Sequence, residues 1–335
     1  MAVKVGINGF GRVAKNCLRG SIDHPGVEVV AVNSTRDPEL LAHMLKYDSV
    51  YGTFEGEVDI RSNSLVVNGK EVPLLAQRDP SLLNWKETGA EVILEATGAF
   101  NNHKGASGHF EGGAKKVIIT APAKDADITL VMGVNEEKYD REKHHVISNS
   151  SCTTNCLAAV SKVLQQKAGI KHALMTTVHS YTNDQRLLDV SHKDFRRARA
   201  AGVSMIPTTT GAARNVGLVI PELEGKINGS AIRVPTFTVS IVDVVAELEG
   251  SFTAEDINNL FVEAASKDLS GYLDVSFEPL VSIDYKGNPY SAVVDALSTM
   301  MVDENMVKVL AWYDNEWGYC QRVLDLAEYV GQQGL

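Results

Sequence analysis

Lys4-Val5-Gly6-Ile7-Asn8-Gly9-Phe10-Gly11-Arg12-Val13-Ala14 decides how the first half of the chain reads. Lys4–Asn8 is apolar and strand-like, and it runs directly into Gly9-Phe10-Gly11-Arg12-Val13-Ala14, which fits G-x-G-x-x-G/A. Glycines at those positions let the backbone turn tightly and approach a pyrophosphate, whose charge meets the positive end of the helix that follows. An ordinary glycine-rich turn gives the same letters. The strand before it and the helical segment after it, near Val13–Ser21, favour a dinucleotide site.

Outward from this turn, short apolar runs alternate with helices. Glu28–Asn33 reads as the second strand, Glu91–Glu95, Lys116–Ile119 and Val146–Ser148 as later ones, and together they predict a parallel sheet. Residues 55–75 read as a strand-rich insertion with an Asn68-Gly69 turn. The second half has few helices. Ala173–His179, Lys226–Val234, Thr236–Leu248 and Val307–Tyr313 alternate and predict a mostly antiparallel sheet, with a helix starting near Thr253. The expected fold is α/β: an N-terminal Rossmann dinucleotide-binding domain, residues 1–150, completed by a C-terminal helix over 318–335, plus an α+β catalytic domain over 151–317.

Length and composition set outer limits. The chain has 335 residues, which suits two domains of ordinary size. Its 44% apolar and 22% charged residues argue against extensive disorder. A net charge of −10 argues against nucleic-acid or anionic-membrane partners. The opening MAVKVGINGFG leaves no room for a signal peptide, and no apolar run is long enough to span a bilayer. Cys17, Cys152, Cys156 and Cys320 are too sparse for a disulfide framework. A cytoplasmic protein is expected.

The chemistry concentrates in Ser148-Asn149-Ser150-Ser151-Cys152-Thr153-Thr154-Asn155-Cys156. Polar capping residues precede a helical run, so Cys152 falls at a helix N-terminus, where the dipole favours a thiolate. His179, beyond the next strand, is close enough in the fold to pair with it. Cys156, one turn further in, reads as packing. A metal site built from His144, His145, Cys152 and Cys156 has poor spacing for tetrahedral zinc, and none is expected.

The motifs SCTTNC at 151–156, HSYTNDQ at 179–185, RRAR at 196–199, PTTTGAA at 207–213, RVP at 233–235 and WYDNEWGY at 312–319 resemble those of phosphorylating glyceraldehyde-3-phosphate dehydrogenases, in the family's order and over the whole chain. The resemblance implies Cys152 as nucleophile and His179 as base. It implies Ser151, Thr153, Thr210 and Gly211 around attacking inorganic phosphate, and Thr182, Arg197 and Arg233 around the substrate's own phosphate. For the cofactor it implies Gly9, Gly11, Arg12 and Val13 at the pyrophosphate, Arg78, Thr97 and Thr120 along the adenine and nicotinamide sides, and Asn315 and Tyr319 near the nicotinamide. The segment 180–206 is similar to the family's S-loop, which reaches a neighbouring subunit's cofactor, so a homotetramer is implied. The implied reaction converts glyceraldehyde 3-phosphate to an acyl phosphate through a thioester on Cys152. The rivals are erythrose-4-phosphate dehydrogenase, which shares the fold and the cysteine, and a binding protein with a second role on the same fold.

Four places depart from the family's common pattern. The acidic residue expected after the second strand is Ser34, followed by Thr35 and Arg36. Val190-Ser191 stands where NAD-specific members carry leucine and proline. Val13-Ala14-Lys15 stands for Ile-Gly-Arg, and Thr238 for an asparagine. A carboxylate at 34 would repel a 2′-phosphate, whereas hydroxyls and a guanidinium accept one. Ser34, Thr35, Arg36 and Ser191 therefore predict that NADP is used well and preferred over NAD.

Overall fold

The computed structural model describes residues 2–335 and divides the chain into two compact units. The first runs to Val131, resumes over Glu136–Ser150 and closes with Cys320–Leu335; the second comprises Met132–Asn135 and Ser151–Tyr319.

The first unit is built on a nine-stranded sheet in the order Ile128–Thr129, Val146–Ser148, Lys116–Ile119, Val92–Glu95, Val3–Asn8, Val27–Asn33, Lys70–Leu75, Ser64–Val67, Val58–Arg61. Pairing is parallel except at the last two contacts, where Ser64–Val67 runs antiparallel to both of its neighbours. The insertion is thus a hairpin that feeds its final strand into the main sheet beside Val27–Asn33. Its turn needs left-handed backbone at both central residues, and Asn68 and Gly69 supply φ of 50° and 79°. The central parallel strands are buried on both faces, which is why they read as unbroken apolar runs.

Strand order reverses around Val3–Asn8, which pairs with Val27–Asn33 on one side and Val92–Glu95 on the other. A ligand crevice forms at the carboxyl ends of the strands where the order reverses. Helix Arg12–Ser21 leaves this point with Gly11 at its N-cap and no side-chain cap. Gly9 has φ of +98°, and a Cβ there would lie 3.0 Å from Ala96 C and Thr97 N, so only glycine fits.

The second unit carries an eight-stranded sheet in the order Ile206–Thr209, Ile227–Val234, Ile170–Ser180, Ser240–Leu248, Met306–Tyr313, Ala292–Asp295, Leu273–Ser276, with Met300–Val302 paired to Met306–Tyr313. It is mostly antiparallel, as expected, but two pairs are parallel: Ile170–Ser180 with Ile227–Val234, and Leu273–Ser276 with Ala292–Asp295. Helix Cys152–Ala168 packs on this sheet, its apolar residues from Cys156 to Leu164 buried. Helix Ala254–Ser266 starts on a capping box in which the Thr253 hydroxyl accepts from Asp256 N–H. Helix Ala212–Val219, with Gly211 at its N-cap, adds an element that the alternating pattern of this half does not predict.

Candidate active site

Ser151 caps helix Cys152–Ala168, its hydroxyl accepting Thr154 N–H at 3.1 Å, so Cys152 is the first helical residue. Its Sγ lies 3.5 Å from His179 Nε2. His179 is the penultimate residue of strand Ile170–Ser180, and the parallel register sets Arg233 directly beside it. Arg233 Nη1 lies 2.7 Å from His179 Nδ1 and donates to Ser180 O at 3.1 Å, while Nδ1 lies 2.7 Å from that same carbonyl. The two neighbours of Nδ1 ask for opposite tautomers. Arg233 has the carbonyl as its acceptor, so the form with hydrogen on Nδ1 satisfies both and turns the lone pair of Nε2 toward the thiol.

This form also fits the electrostatics. Burial, reinforced by the Arg233 charge, lowers the His179 imidazole to about 3, which keeps it neutral. The thiol behaves differently from the sequence expectation. A helix N-terminus favours thiolate, and hydrogen bonding at Thr153 and the Arg233 charge act in the same direction. Desolvation is the larger effect, however, and pushes Cys152 up. The residue keeps a partly exposed surface, but its sulfur lies among protein atoms. Cys156 is fully buried against Ala311 O, and burial pushes its thiol up further.

Tyr313 completes the group, and the sequence reading missed it. Its hydroxyl bridges Thr153 Oγ1 at 2.8 Å and Thr177 Oγ1 at 2.9 Å, and its ring meets His179 edge-on at 6.0 Å. The alternating burial of strand Met306–Tyr313 carried the signal: an inward tyrosine needs a partner for its hydroxyl.

The residues assigned to anions are arranged in two ways. Arg233 is largely buried, and its Nε has no hydrogen-bond partner among the described residues. Arg197 is instead held internally, by Asp184 in a short ion pair, by Thr208 Oγ1 at 2.9 Å and Thr209 O at 3.3 Å, with Asp194 at 3.6 Å. Thr182 N and Oγ1 both donate to Gln185 Oε1. Thr210 Oγ1 accepts Ala212 N–H, and Gly211 is the N-cap of Ala212–Val219.

In the first unit, a cleft of about 650 Å³ sits at the reversal point of the sheet. Gly9, Gly11, Ser34, Thr35, Arg36, Arg78 and Thr97 all line it. Its size, the uncapped helix start and the close approach at Gly9 suit a dinucleotide. Arg12 does not line the cleft; it pairs with Asp48 at 3.0 Å. The departure at Lys15 finds its reason here, since the buried ammonium meets the same Asp48 at 2.5 Å. Val13 contributes its carbonyl to Cys320 Sγ. Thr120 N and Oγ1 are held by Glu95 O. Asn315 and buried Tyr319 belong to the second unit, where Ser180 and Ser240 hydroxyls donate to Asn315 Oδ1 at 2.9 and 3.0 Å. The departure at Thr238 is accommodated by its hydrogen bond to buried Asp314. Ser191 is exposed, its carbonyl accepting Arg186 Nη2.

Residues 3–103 match the glyceraldehyde 3-phosphate dehydrogenase NAD binding domain, and residues 151–315 match the glyceraldehyde 3-phosphate dehydrogenase C-terminal domain. The chain belongs to the glyceraldehyde-3-phosphate dehydrogenase family. It is 58% identical to glyceraldehyde-3-phosphate dehydrogenase of Priestia megaterium and 59% identical to that of Geobacillus stearothermophilus, over 335 residues and the full length of both chains in each comparison. Glyceraldehyde-3-phosphate dehydrogenase 1 of Bacillus subtilis is likewise 59% identical over full length. The reading of fold and family from SCTTNC and the glycine turn agrees with these matches. Among the described residues, no helix is long and apolar enough to cross a membrane, and no cluster of His, Cys, Asp and Glu suits a metal ion.

Proposed function

We propose that the chain catalyses the reversible oxidative phosphorylation of D-glyceraldehyde 3-phosphate to 1,3-bisphosphoglycerate, the glycolytic and gluconeogenic reaction of its family. The observation that carries this is the Cys152–His179–Arg233 group: a thiol 3.5 Å from a neutral imidazole, beside a buried guanidinium with an unused donor. Cys152 Sγ attacks the aldehyde carbon, and its proton passes to His179 Nε2. N–H groups at the start of helix Cys152–Ala168 face the developing oxyanion. His179 returns that proton to the alkoxide, giving the hemithioacetal, and takes it back from the hydroxyl as the hydride leaves and the thioester forms. The bound dinucleotide supplies the hydride acceptor. Inorganic phosphate, held by Ser151, Thr153, Thr210 and Gly211, attacks the thioester and releases Cys152. Arg233 with Thr182 and Arg197 holds the substrate's phosphate; the orphan Nε of Arg233 favours this role. Asn315, with its oxygen engaged by two serines, would hold the nicotinamide amide through its NH₂.

The same reading takes NADP as the preferred cofactor. Ser34 sits where a carboxylate would repel a 2′-phosphate, and Thr35 and Arg36 share the cleft with it. A charge-assisted hydrogen bond contributes roughly 1.5–3 kcal/mol, enough to set preference. Leu187, Leu188, Phe195, Val203 and Met205 of the 180–206 segment are strongly exposed, which favours burial against another copy and a homotetramer. A cytoplasmic location follows from the reaction's place in central metabolism. The test is the ratio of kcat/KM for NADP and NAD, in wild type and in Ser34→Asp, with glyceraldehyde 3-phosphate and erythrose 4-phosphate compared under phosphate and arsenate. A wild-type ratio strongly toward NAD, or one that Ser34→Asp leaves unmoved, rules out the NADP assignment. Faster turnover of the four-carbon aldehyde rules out the triose substrate.

A further inference from the structure

Beneath the cleft, the first unit buries a carboxylate for which the reaction has no use. Glu95, the last residue of strand Val92–Glu95, is 1% exposed. Its Oε2 accepts Asn8 Nδ2 at 2.6 Å and lies 3.1 Å from His109 Nε2. Its Oε1 accepts Thr97 N–H at 2.9 Å and also the Thr97 hydroxyl. Even its main-chain carbonyl is engaged, by Thr120 N–H and Oγ1 at 3.0 and 3.1 Å.

The direction of each hydrogen bond here is determined. An indole N–H can only donate, and Trp85 Nε1 lies 3.0 Å from His109 Nδ1. His109 therefore carries its hydrogen on Nε2 and gives it to Glu95. On the other branch, Gln77 N–H donates to Asn33 Oδ1 at 2.9 Å. That turns Asn33 Nδ2 toward Gln77 O and toward Asn8 Oδ1, at 2.8 and 2.6 Å, and so turns Asn8 Nδ2 toward Glu95. Both branches end on one group that only accepts.

The network also runs along the cleft. Asn8, Asn33, Gln77 and Thr97 line it, at the ends of strands flanking the reversal point. Gly9 N–H is held by Asn33 O, and Ser34 N–H by Leu75 O, both at 2.9 Å. The glycine turn abuts the Ala96-Thr97 peptide.

We propose that Glu95 is a positioning residue for the dinucleotide. Through Thr97 on one oxygen and Asn8 and Asn33 on the other, its carboxylate fixes the floor of the cleft and so sets cofactor affinity. This rests on the cleft being the dinucleotide site.

Glu95→Gln keeps the shape and changes the pattern. Whichever way the amide faces, its NH₂ meets donors: Asn8 and His109 on one side, Thr97 N–H on the other. Asn8 cannot flip without facing Asn33 Nδ2, and His109 cannot change tautomer without facing the indole N–H. Asn8→Asp alone sets two carboxylates against each other. Together the two changes are complementary. The amide introduced at position 95 is then able to donate to the new carboxylate at position 8, and His109 Nε2, 3.4 Å from that atom position, finds the same acceptor.

The experiment is calorimetric titration of the whole protein with NAD and NADP, alongside turnover. A lost charged hydrogen bond of about 1.5–3 kcal/mol means that Glu95→Gln raises both Kd values by about 10–100-fold. Glu95→Gln/Asn8→Asp returns them most of the way. The kcat at saturating cofactor and the cofactor-free alkylation rate of Cys152 stay near wild type, a split that general loosening of the fold would not give. Should Glu95→Gln not fold, Trp85→Phe decides, because it removes the donor that orients His109; it also trims a fully buried ring, so urea stability is measured beside Kd, and both dinucleotides weaken by about fivefold, one neutral hydrogen bond, in protein that is still folded. A folded Glu95→Gln that binds both dinucleotides as wild type does, a double variant no better than the single, or an unaffected Trp85→Phe overturns the proposal. A protein that responds to Ser34→Asp but not to these changes still has its dinucleotide in the cleft, and only the role of Glu95 falls.

Discussion

Replacing Arg233 by leucine tests how the site prepares its nucleophile. Burial pushes the Cys152 thiol up, and the Arg233 charge is foremost among the influences that oppose burial. Arg233 acts across one imidazole ring, since Nη1 contacts His179 Nδ1 and Nε2 faces Sγ. A neighbouring opposite charge lowers a thiol pKa by about 1–3. Losing it raises the thiol, and below that pKa the thiolate fraction falls about 10-fold per unit. A more basic thiolate is also a better nucleophile, with a Brønsted slope of about 0.4–0.5, which returns nearly half of the logarithmic loss. The expected net effect near neutral pH is a slowing of about 3–60-fold. The reagent must be neutral, because an anionic one would also lose attraction to the arginine. The assay is the second-order rate of iodoacetamide at Cys152 against pH, without substrate or cofactor. Arg233→Leu should move the profile toward alkaline pH, and Arg233→Lys should leave it nearer wild type. Superimposable profiles for wild type and Arg233→Leu would refute the electrostatic role.

Cys152→Ser should abolish phosphorylating turnover, whereas Cys156→Ser, at a packed and unreactive position, should leave most of it; comparable losses in both would remove the distinction drawn from burial. His179→Asn should lower turnover by about 10²–10⁴-fold, the range for a lost general base, and unchanged single-turnover hydride transfer would exclude it as base. Asp48→Asn leaves buried Lys15 without its counter-ion and should cost about 3–5 kcal/mol by urea unfolding. The Asp48 carboxyl is held well below its usual range despite burial, by Arg12, Lys15 and the backbone N–H groups of Val50 and Tyr51. Its contribution is therefore present above the unfolded pKa and is lost as pH falls below it, so wild type and variant should converge in acid; a gap that stays constant with pH would contradict this.

Local pattern made much of this protein legible. The glycine turn, the capped cysteine helix and the Asn68-Gly69 hairpin each follow from a few adjacent residues, because backbone sterics and capping act over a single turn. What stayed hidden depended on pairing between distant segments. Arg233 comes beside His179 only because strands Ile170–Ser180 and Ile227–Val234 run parallel in one register. Asp184 captures Arg197 across a loop. The thiol expectation failed for the same reason: the helix N-terminus is visible in SCTTNC, but desolvation is contributed by the surroundings and outweighs it.

Each unit hides an ionisable group, and hydrogen-bond accounting separates their uses. Glu95 has both oxygens engaged by donors whose orientation is fixed elsewhere in the network. Such a group is satisfied before any ligand arrives, and its contribution is shape. Arg233 is the opposite case: a mostly buried cation donates to a carbonyl, crowds a ring nitrogen and keeps Nε unmatched. A buried donor left without a partner costs about 1–3 kcal/mol, more when charged, a cost that an incoming anion would relieve. The unmatched Nε at Arg233 therefore points to ligand binding, and the closed accounting at Glu95 points to positioning.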